Sequence, residues 1–181
     1  MSHLFGEIRQ IAFVVPNIDA AMGYWANVLG IGPFFIKRKI VLEDFSYRAR
    51  SFISPTISIA LANSGFIQIE LIQQHDDAPS IYKEFIDSGR TGLQHMSSWM
   101  TCAEFDARKK LLLSRGIGLA QEGTIASSGV RLAYFDTERN GSGLIFEMAD
   151  LKEPSHYQRV MGIAKAGESW DGADHVVESV T

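Results

Sequence analysis

The chain has 181 residues, enough for one domain of ordinary size or two small fused ones. With 17 Lys and Arg against 21 Asp and Glu, its formal charge is −4, which argues against nucleic-acid binding, because such surfaces usually carry a basic excess. Its 46% hydrophobic content excludes long disorder, and its single cysteine, Cys102, excludes an internal disulfide or a cysteine metal cluster.

The N-terminal segment, residues 1–9, has no apolar stretch of signal-peptide length. The apolar run that follows, residues 11–15, is far shorter than the roughly 20 residues that span a bilayer. We therefore expect a soluble, cytoplasmic protein without a membrane partner.

The first half of the chain predicts one helix among several strands. Residues 8–15 are rich in β-branched and aromatic side chains and end at Pro16, which indicates a buried strand. Asn17 suits a helix N-cap, the apolar side chains that follow recur on one helical face, and Gly30 suits a left-handed C-cap. Further strands are predicted at residues 34–40, 45–51, 56–63 and 65–73.

The second half follows the same plan after a short linking helix, which is predicted from Ser80 to Gly89. A strand is predicted at residues 93–100, and Thr101 and Glu104 have the spacing of a capping box at the start of the next helix. Strands at 119–126, 130–136 and 143–148 come next, then a helix from about Pro154. We expect the polar tail at 167–181 to be either frayed or docked on a partner subunit.

The two halves therefore form an internal repeat, each with the order β-α-β-β-β. The tripeptide Gly-Ile-Gly closes the main helix of both halves, at residues 30–32 and 116–118. A repeat of this size outweighs any single local assignment. We predict an α+β fold in a single domain. It consists of a first module (residues 6–75), a linker helix (76–91), a second module (92–150), and a C-terminal helix with its tail (151–181).

Four polar side chains occupy repeat-matched positions in otherwise apolar strands: Gln10 and His95 in the first strand of each half, Glu70 and Glu147 in the last. A carboxylate in such a strand is costly to bury unless it is paired or bound to a cation. Any one of the four alone is better explained as a hydrogen-bonded or solvent-facing residue. Together, related by a pseudo-twofold axis, they suggest a site for Zn²⁺, Ni²⁺, Co²⁺, Mn²⁺ or Fe²⁺.

Other features are less informative. The chain has no GxGxxG, Walker or GxSxG motif, so nucleotide binding and triad hydrolysis have no support. Six aromatic side chains could line an apolar pocket or belong to the core, namely Phe34, Phe35, Phe45, Tyr47, Trp99 and Phe135.

Several stretches resemble the vicinal oxygen chelate (VOC) superfamily, which includes glyoxalase I, methylmalonyl-CoA epimerase, fosfomycin and bleomycin resistance proteins and extradiol dioxygenases. Residues 8–19 (IRQIAFVVPNID) and 29–35 (LGIGPFF) resemble its opening. Residues 69–73 (IELIQ), 92–95 (GLQH) and 144–148 (LIFEM) resemble its remaining metal-binding strands. The resemblance covers about residues 6–150 and is nearest the glyoxalase I and methylmalonyl-CoA epimerase-like branch.

This resemblance implies paired βαβββ modules forming a curved, partly open mixed β-sheet barrel, with helices outside. It implies one divalent metal ion bound by Gln10, Glu70, His95 and Glu147, a set that glyoxalase I enzymes use. Gln10 stands where many members have His, which counts against an extradiol dioxygenase. Epimerases of the family carry an extra acid on an early strand, and Glu43 or Asp44 is near the corresponding place.

The implied reaction is metal-assisted proton transfer α to a carbonyl, with a small carbonyl compound or thioester chelating the metal through two oxygens. Glu147, or otherwise Glu70, would act as the base, and Glu43 would be a second acid. Two alternatives stay open: a metal-dependent oxygenase or ring-modifying enzyme, and a metal-free ligand-binding or resistance protein. A homodimer is expected.

Overall fold

A computed structural model describes residues 2–138 and 143–179 of the chain. Within them, four helices accompany one mixed sheet of eleven strands that does not close on itself. This architecture confirms the predicted α+β class and the partly open sheet. Among the described residues, no helix combines the length and apolar character that crossing a bilayer requires.

The first half of the chain forms six strands and two helices. In chain order they are β1 (Gln10–Val14), α1 (Ile18–Leu29), β2 (Phe34–Ile40), β3 (Leu42–Tyr47), β4 (Arg50–Ser51), β5 (Ile57–Ser64), β6 (Ile67–Gln74) and α2 (Ile81–Asp87). Helix α1 begins as predicted, because the Asn17 side chain accepts a hydrogen bond from the Ala20 backbone N–H. It ends at Gly30, whose φ of 66° is left-handed.

The second half forms five strands and two helices. They are β7 (Gly92–Trp99), α3 (Cys102–Ser114), β8 (Leu119–Ile125), β9 (Val130–Phe135), β10 (Ile145–Ala149), α4 (Pro154–Ser169) and β11 (Val176–Glu178). The capping box at the start of α3 is complete, with the side chain of each partner, Thr101 and Glu104, bonded to the backbone N–H of the other.

The strand order is β11-β2-β5-β6-β1-β7-β10-β9-β8-β3-β4. In each half, the first strand runs parallel to the last, so β1 pairs with β6 and β7 with β10. The two first strands, β1 and β7, pair antiparallel at the centre of the sheet. The two βαβββ units are therefore related by a pseudo-twofold axis that passes between these strands.

The strand predicted at residues 45–51 is two short strands in the structure, and it does not join the other strands of the first half. Strands β3 and β4 form a hairpin, and β3 pairs antiparallel with β8 of the second half, with Leu42 opposite Ile125. Near its end, β2 has an irregularity between Lys37 and Ile40, where Lys39 has a φ of 50°. Leu42 and Phe45 are then buried in the core, which fixes the hairpin on the second half.

The tail is not frayed in the part that the structure describes. Strand β11 pairs in parallel with β2 of the same chain, with Val176 opposite Phe34. The Trp170 ring packs over Gly32 so closely that a Cβ at Gly32 would lie 2.9 Å from it. The tail thus adds a strand to the sheet beside β2, in the first half of the same chain.

Successive side chains of each strand point to opposite faces of the sheet, an outer face and an inner face. On the outer face, α1 packs against Phe34 and Leu71, and α3 packs against Phe135 and Met148. The inner face is shared by both halves and is covered by α2 and α4, whose Tyr82 and Val160 belong to its core cluster. All four repeat-matched polar residues lie on inner-face positions of their strands.

Candidate metal site

Three of the four predicted ligands converge on the inner face. Glu70 of β6, His95 of β7 and Glu147 of β10 each offer an atom that lies within 4.8 Å of the other two. The Nε2 atom of His95 is 3.3 Å from Oε2 of Glu70 and 3.7 Å from Oε2 of Glu147. The central strands therefore bring two carboxylates to one imidazole nitrogen.

These three side chains are almost entirely withdrawn from water. His95 is fully buried, and Glu70 and Glu147 are exposed by only 7% and 3%. Burial raises the pKa of Glu70 to about 8 and also raises the pKa of Glu147. Burial lowers the pKa of His95, so its imidazole is neutral at physiological pH and can act as a ligand.

Two polar atoms of this group lack a partner. Among the described residues, neither Oε2 of Glu70 nor Nε2 of His95 makes a hydrogen bond, although both are buried. Buried polar atoms in proteins are nearly always hydrogen-bonded, and an orphaned carboxylate oxygen is especially costly. A bound cation would satisfy both atoms at once.

The imidazole is already oriented for this role. Nδ1 of His95 lies 2.6 Å from Oε1 of Gln94 and donates to it, which leaves the lone pair of Nε2 facing the two carboxylates. From the other side, the Tyr134 ring packs edge-on against the imidazole, with ring centroids 5.2 Å apart. The Tyr134 hydroxyl oxygen in turn accepts a hydrogen bond of 2.9 Å from the Tyr82 hydroxyl.

The spacing of the ligand atoms suits a divalent ion. Ligand bonds of about 2.1 Å at tetrahedral or octahedral angles place neighbouring ligand atoms roughly 3.0–3.4 Å apart. The measured separations of 3.3 and 3.7 Å are close to that range. Two carboxylate oxygens with one imidazole nitrogen are a ligand set that Zn²⁺, Mn²⁺, Co²⁺, Ni²⁺ and Fe²⁺ all accept. The residues present therefore fit such an ion.

The fourth predicted ligand, Gln10, lies in the same cavity but is engaged elsewhere. It pairs with Gln68 across β1 and β6, and its Nε2 donates a hydrogen bond of 2.9 Å to Oε1 of that residue. This bond uses the amide nitrogen and leaves the carbonyl oxygen as the atom that could bind a cation. Gln68, which sequence reasoning passed over, therefore fixes the orientation of Gln10.

The proposed second acid, Glu43, lies elsewhere. It is exposed on β3, opposite Thr124 of β8, and it does not line the cavity beside the three ligands. The next residue, Asp44, is also exposed. The hairpin carries both acids to the far edge of the second half, so the geometry gives Glu43 no contact with a substrate at the candidate metal site.

A cavity of about 360 Å³ opens from the candidate site along the inner face. Glu70 and Glu147 lie at its buried end, and its walls are mainly aliphatic. Helix α4 contributes Val160 and Ile163 as a cover. Of the six aromatic side chains considered from the sequence, only Phe35 lines this cavity.

Sequence reasoning missed the two cationic residues of the cavity, Lys37 and Arg159. Strand parity could have found Lys37, because it shares a face with Phe35 on β2. No local signal could have found Arg159, because its place depends on how α4 crosses the inner face.

Comparison with known proteins decides the family. A sequence model described as the glyoxalase/bleomycin resistance protein/dioxygenase superfamily matches residues 9–135. The chain belongs to this superfamily. The match confirms the resemblance of the sequence to the VOC proteins, and it spans Gln10, Glu70 and His95 but ends before Glu147 and α4.

Several solved structures share this fold. A methylmalonyl-CoA epimerase from Mycobacterium tuberculosis superposes with a TM-score of 0.58 at 18% identity, covering 87% of this chain and 95% of the other. A hypothetical protein from Bacillus halodurans C-125 gives 0.57 at 19% identity, covering 81% and 95%. A methylmalonyl-CoA epimerase variant from Streptomyces coelicolor, in complex with 2-nitronate-propionyl-CoA, gives 0.56 at 14% identity, covering 81% and 94%. Comparison with curated proteins finds no match.

Proposed function

We propose that this VOC protein is a divalent-metal-dependent enzyme that moves a proton α to a carbonyl. Its substrate would be a small carbonyl compound or thioester that binds the metal through two oxygens. The observation that carries the proposal is the buried group of Glu70, His95 and Glu147, with unpartnered Oε2 and Nε2 atoms at the end of a cavity. The structural similarity to methylmalonyl-CoA epimerases supports epimerisation as one candidate reaction.

In this proposal, Glu70, His95 and Glu147 hold the metal, with the carbonyl oxygen of Gln10 as a fourth ligand. A bound divalent cation would stabilise the negative charge that develops on a substrate oxygen when the α-proton leaves. The protein supplies the base. Glu147 is our first candidate and Glu70 the second, because each has a buried carboxyl group lining the cavity that could take the α-proton once it is free of the metal.

The surroundings of the candidate site support this chemistry. The aliphatic walls of the cavity and the cover provided by α4 limit water around the reacting carbon. Two carboxylates with one imidazole also differ from the two-His-one-carboxylate set of non-haem iron oxygenases. Proton transfer is therefore the function that the ligand set favours over oxygenation.

Metal analysis tests whether the protein binds a divalent ion at the candidate site. We expect purified protein to retain a divalent ion near one equivalent and His95→Ala to lose it. His3→Ala is the control, because His3 is exposed in the N-terminal arm. Equal metal content in the parent and His95→Ala would reject the site.

Isotope exchange tests whether the protein moves a proton at the α-carbon of a substrate. The metal-loaded protein is incubated in deuterium oxide with 2-oxo hemithioacetals and acyl-CoA thioesters, and deuterium at the α-carbon is measured. We expect incorporation with at least one class of compound and its loss in Glu147→Gln. A metal-loaded protein that exchanges no α-proton but binds these compounds would instead be a ligand-binding protein.

A homodimer and a cytoplasmic location stay predictions of the sequence. Light scattering of the purified chain measures the first, and fractionation of the source cells measures the second.

A further inference from the structure

The cavity has acidic side chains at one end and basic side chains at the other. Its buried end has the carboxyl groups of Glu70 and Glu147, whereas Lys37 of β2 and Arg159 of α4 line its more exposed part. Lys37 is half-buried, and its Nζ donates a hydrogen bond of 2.6 Å to Oγ of Ser127 in the turn between β8 and β9. This lysine therefore crosses from one half of the fold to the other at the cavity rim.

These two cations line the cavity without the acidic partners that several arginines of the chain have. Arg38, Arg48 and Arg131 each bind two carboxylates. In the part of the chain that the structure describes, neither Lys37 nor Arg159 has a carboxylate within salt-bridge distance. Burial, and then the charge of Arg159, lower the pKa of Lys37. An anion between the two cations would relieve their repulsion.

The space between the two ends is apolar. Ile59, Leu61, Val130, Leu132 and Ile163 line it. Its volume of about 360 Å³ is at the lower end of the roughly 300–1,000 Å³ that ligand pockets span. The part of a ligand that this cavity encloses is therefore small and aliphatic.

On the basis of the function proposed above, we propose that the substrate is a small organic acid with three parts: oxygens that chelate the metal, an aliphatic middle, and a carboxylate bound by Lys37 and Arg159. Lys37 and Arg159 fix its direction, because they attract the carboxylate to their end of the cavity while the chelating oxygens bind the metal at the other end. Arg159 lies on α4, which follows the last strand of the second βαβββ module, so one of the two cations comes from outside the modules.

Two arms test the proposal with defined probes. In the first arm, metal-free protein is titrated with octanoate and with octanamide, its neutral counterpart of similar shape. We expect octanoate to bind at least about tenfold more tightly than octanamide, because hydrogen bonds to charged groups are the stronger ones. The double variant Lys37→Gln/Arg159→Gln should lose this preference. Lys165→Gln should keep it, because Lys165 is exposed on the same helix and does not line the cavity.

In the second arm, metal-loaded protein is titrated with octanohydroxamate, which chelates metals through two adjacent oxygens but has no distant carboxylate. The monohydroxamate of suberic acid carries both ends, and we expect it to bind at least about tenfold more tightly than octanohydroxamate in the parent. The two should bind equally in the double variant.

The arms separate this inference from the proposed function. Equal or absent binding of octanoate and octanamide by the parent, or a preference that survives in the double variant, overturns the anion site. If octanohydroxamate binds equally well without metal or in a His95 variant, the chelating site is overturned. The octanoate arm would still decide the anion site. A CoA thioester that binds better than the matching free acid, through the same two cations, would overturn the small-acid assignment.

Discussion

The Nε2 atom of His95 lies 3.3 Å from Oε2 of Glu70, although their strands are separated by β1. Ala12 of β1 pairs in register with both residues, and its side chain points to the same inner face. Its small methyl group leaves the space through which the two longer side chains meet. The candidate metal site thus depends on a residue that offers no ligand atom.

This relationship predicts that Ala12→Val weakens metal binding. The added methyl groups would push Glu70 and His95 apart, and we expect at least about a tenfold loss of affinity together with about 1–3 kcal/mol of destabilisation. Ala60→Val is the matched control. Ala60 is equally buried but lies on the outer face with α1, so the control should lose stability and keep its metal affinity. Titration calorimetry and thermal unfolding measure the two effects, and unchanged affinity in Ala12→Val would contradict the prediction.

Metal binding should depend on pH in a defined direction. Because burial raises the pKa of Glu70 to about 8, the metal-free protein holds a proton there at neutral pH, and a cation must displace it. We expect affinity to rise about tenfold per pH unit for each proton displaced and to level off above about pH 8. Calorimetry in two buffers of different ionisation enthalpy counts the released protons. Binding that is equally tight at about pH 6 and about pH 8 would be incompatible with this mechanism.

The same shift predicts how the metal-free fold responds to pH. The folded-state pKa of Glu70 is above its ordinary value of 4.5, so its contribution to stability is complete below about 4.5 and is lost as the pH rises through about 8. The melting temperature of metal-free protein should fall over this window, and the fall should be smaller in Glu70→Gln. A saturating divalent metal should restore stability at the upper end. A melting temperature that rises over this window in metal-free protein, with no difference between parent and variant, would refute the shift.

The hydrogen bond from His95 to Gln94 should control metal affinity. Removing an outer partner of a ligating imidazole typically costs about 10–100-fold in affinity, and we expect a loss of that size in Gln94→Leu. Gln94→Glu retains an acceptor for Nδ1 and should recover most of the affinity. Circular dichroism checks that both variants are folded. Equal affinities in Gln94→Leu and the parent would show that the imidazole needs no such partner.

The docked tail can be tested separately. Trp170→Ala removes the ring that packs over Gly32, and we expect the segment after α4 to become accessible to protease while the sheet stays folded. Limited proteolysis with mass spectrometry locates the cleavage. Gly32→Ala should have a similar effect, because its Cβ would approach the Trp170 ring. Resistance of the tail in both variants would show that β11 pairing alone holds it.

The local signals in the sequence predicted the repeat well. Repeat-matched positions in apolar strands singled out Glu70, His95 and Glu147, and the structure brings these three together on the inner face. The same signals could not show that β3 pairs with β8. These strands are far apart in the sequence, and their pairing depends on how the apolar side chains of β3 pack in the shared core. They also could not place α4 over the cavity, so Arg159 was missed. The role predicted for Glu43 came from the family resemblance, and the hairpin places this residue away from the cavity.

Strand β3 joins the two halves of the fold in a way that a simple duplication does not require. Because residues from the first half complete the sheet edge of the second, a chain cut in the linker around α2 would give two fragments that each lack part of their hydrogen-bonding surface. Such fragments should recover the native state only when mixed, which makes this scaffold suitable for split-protein complementation.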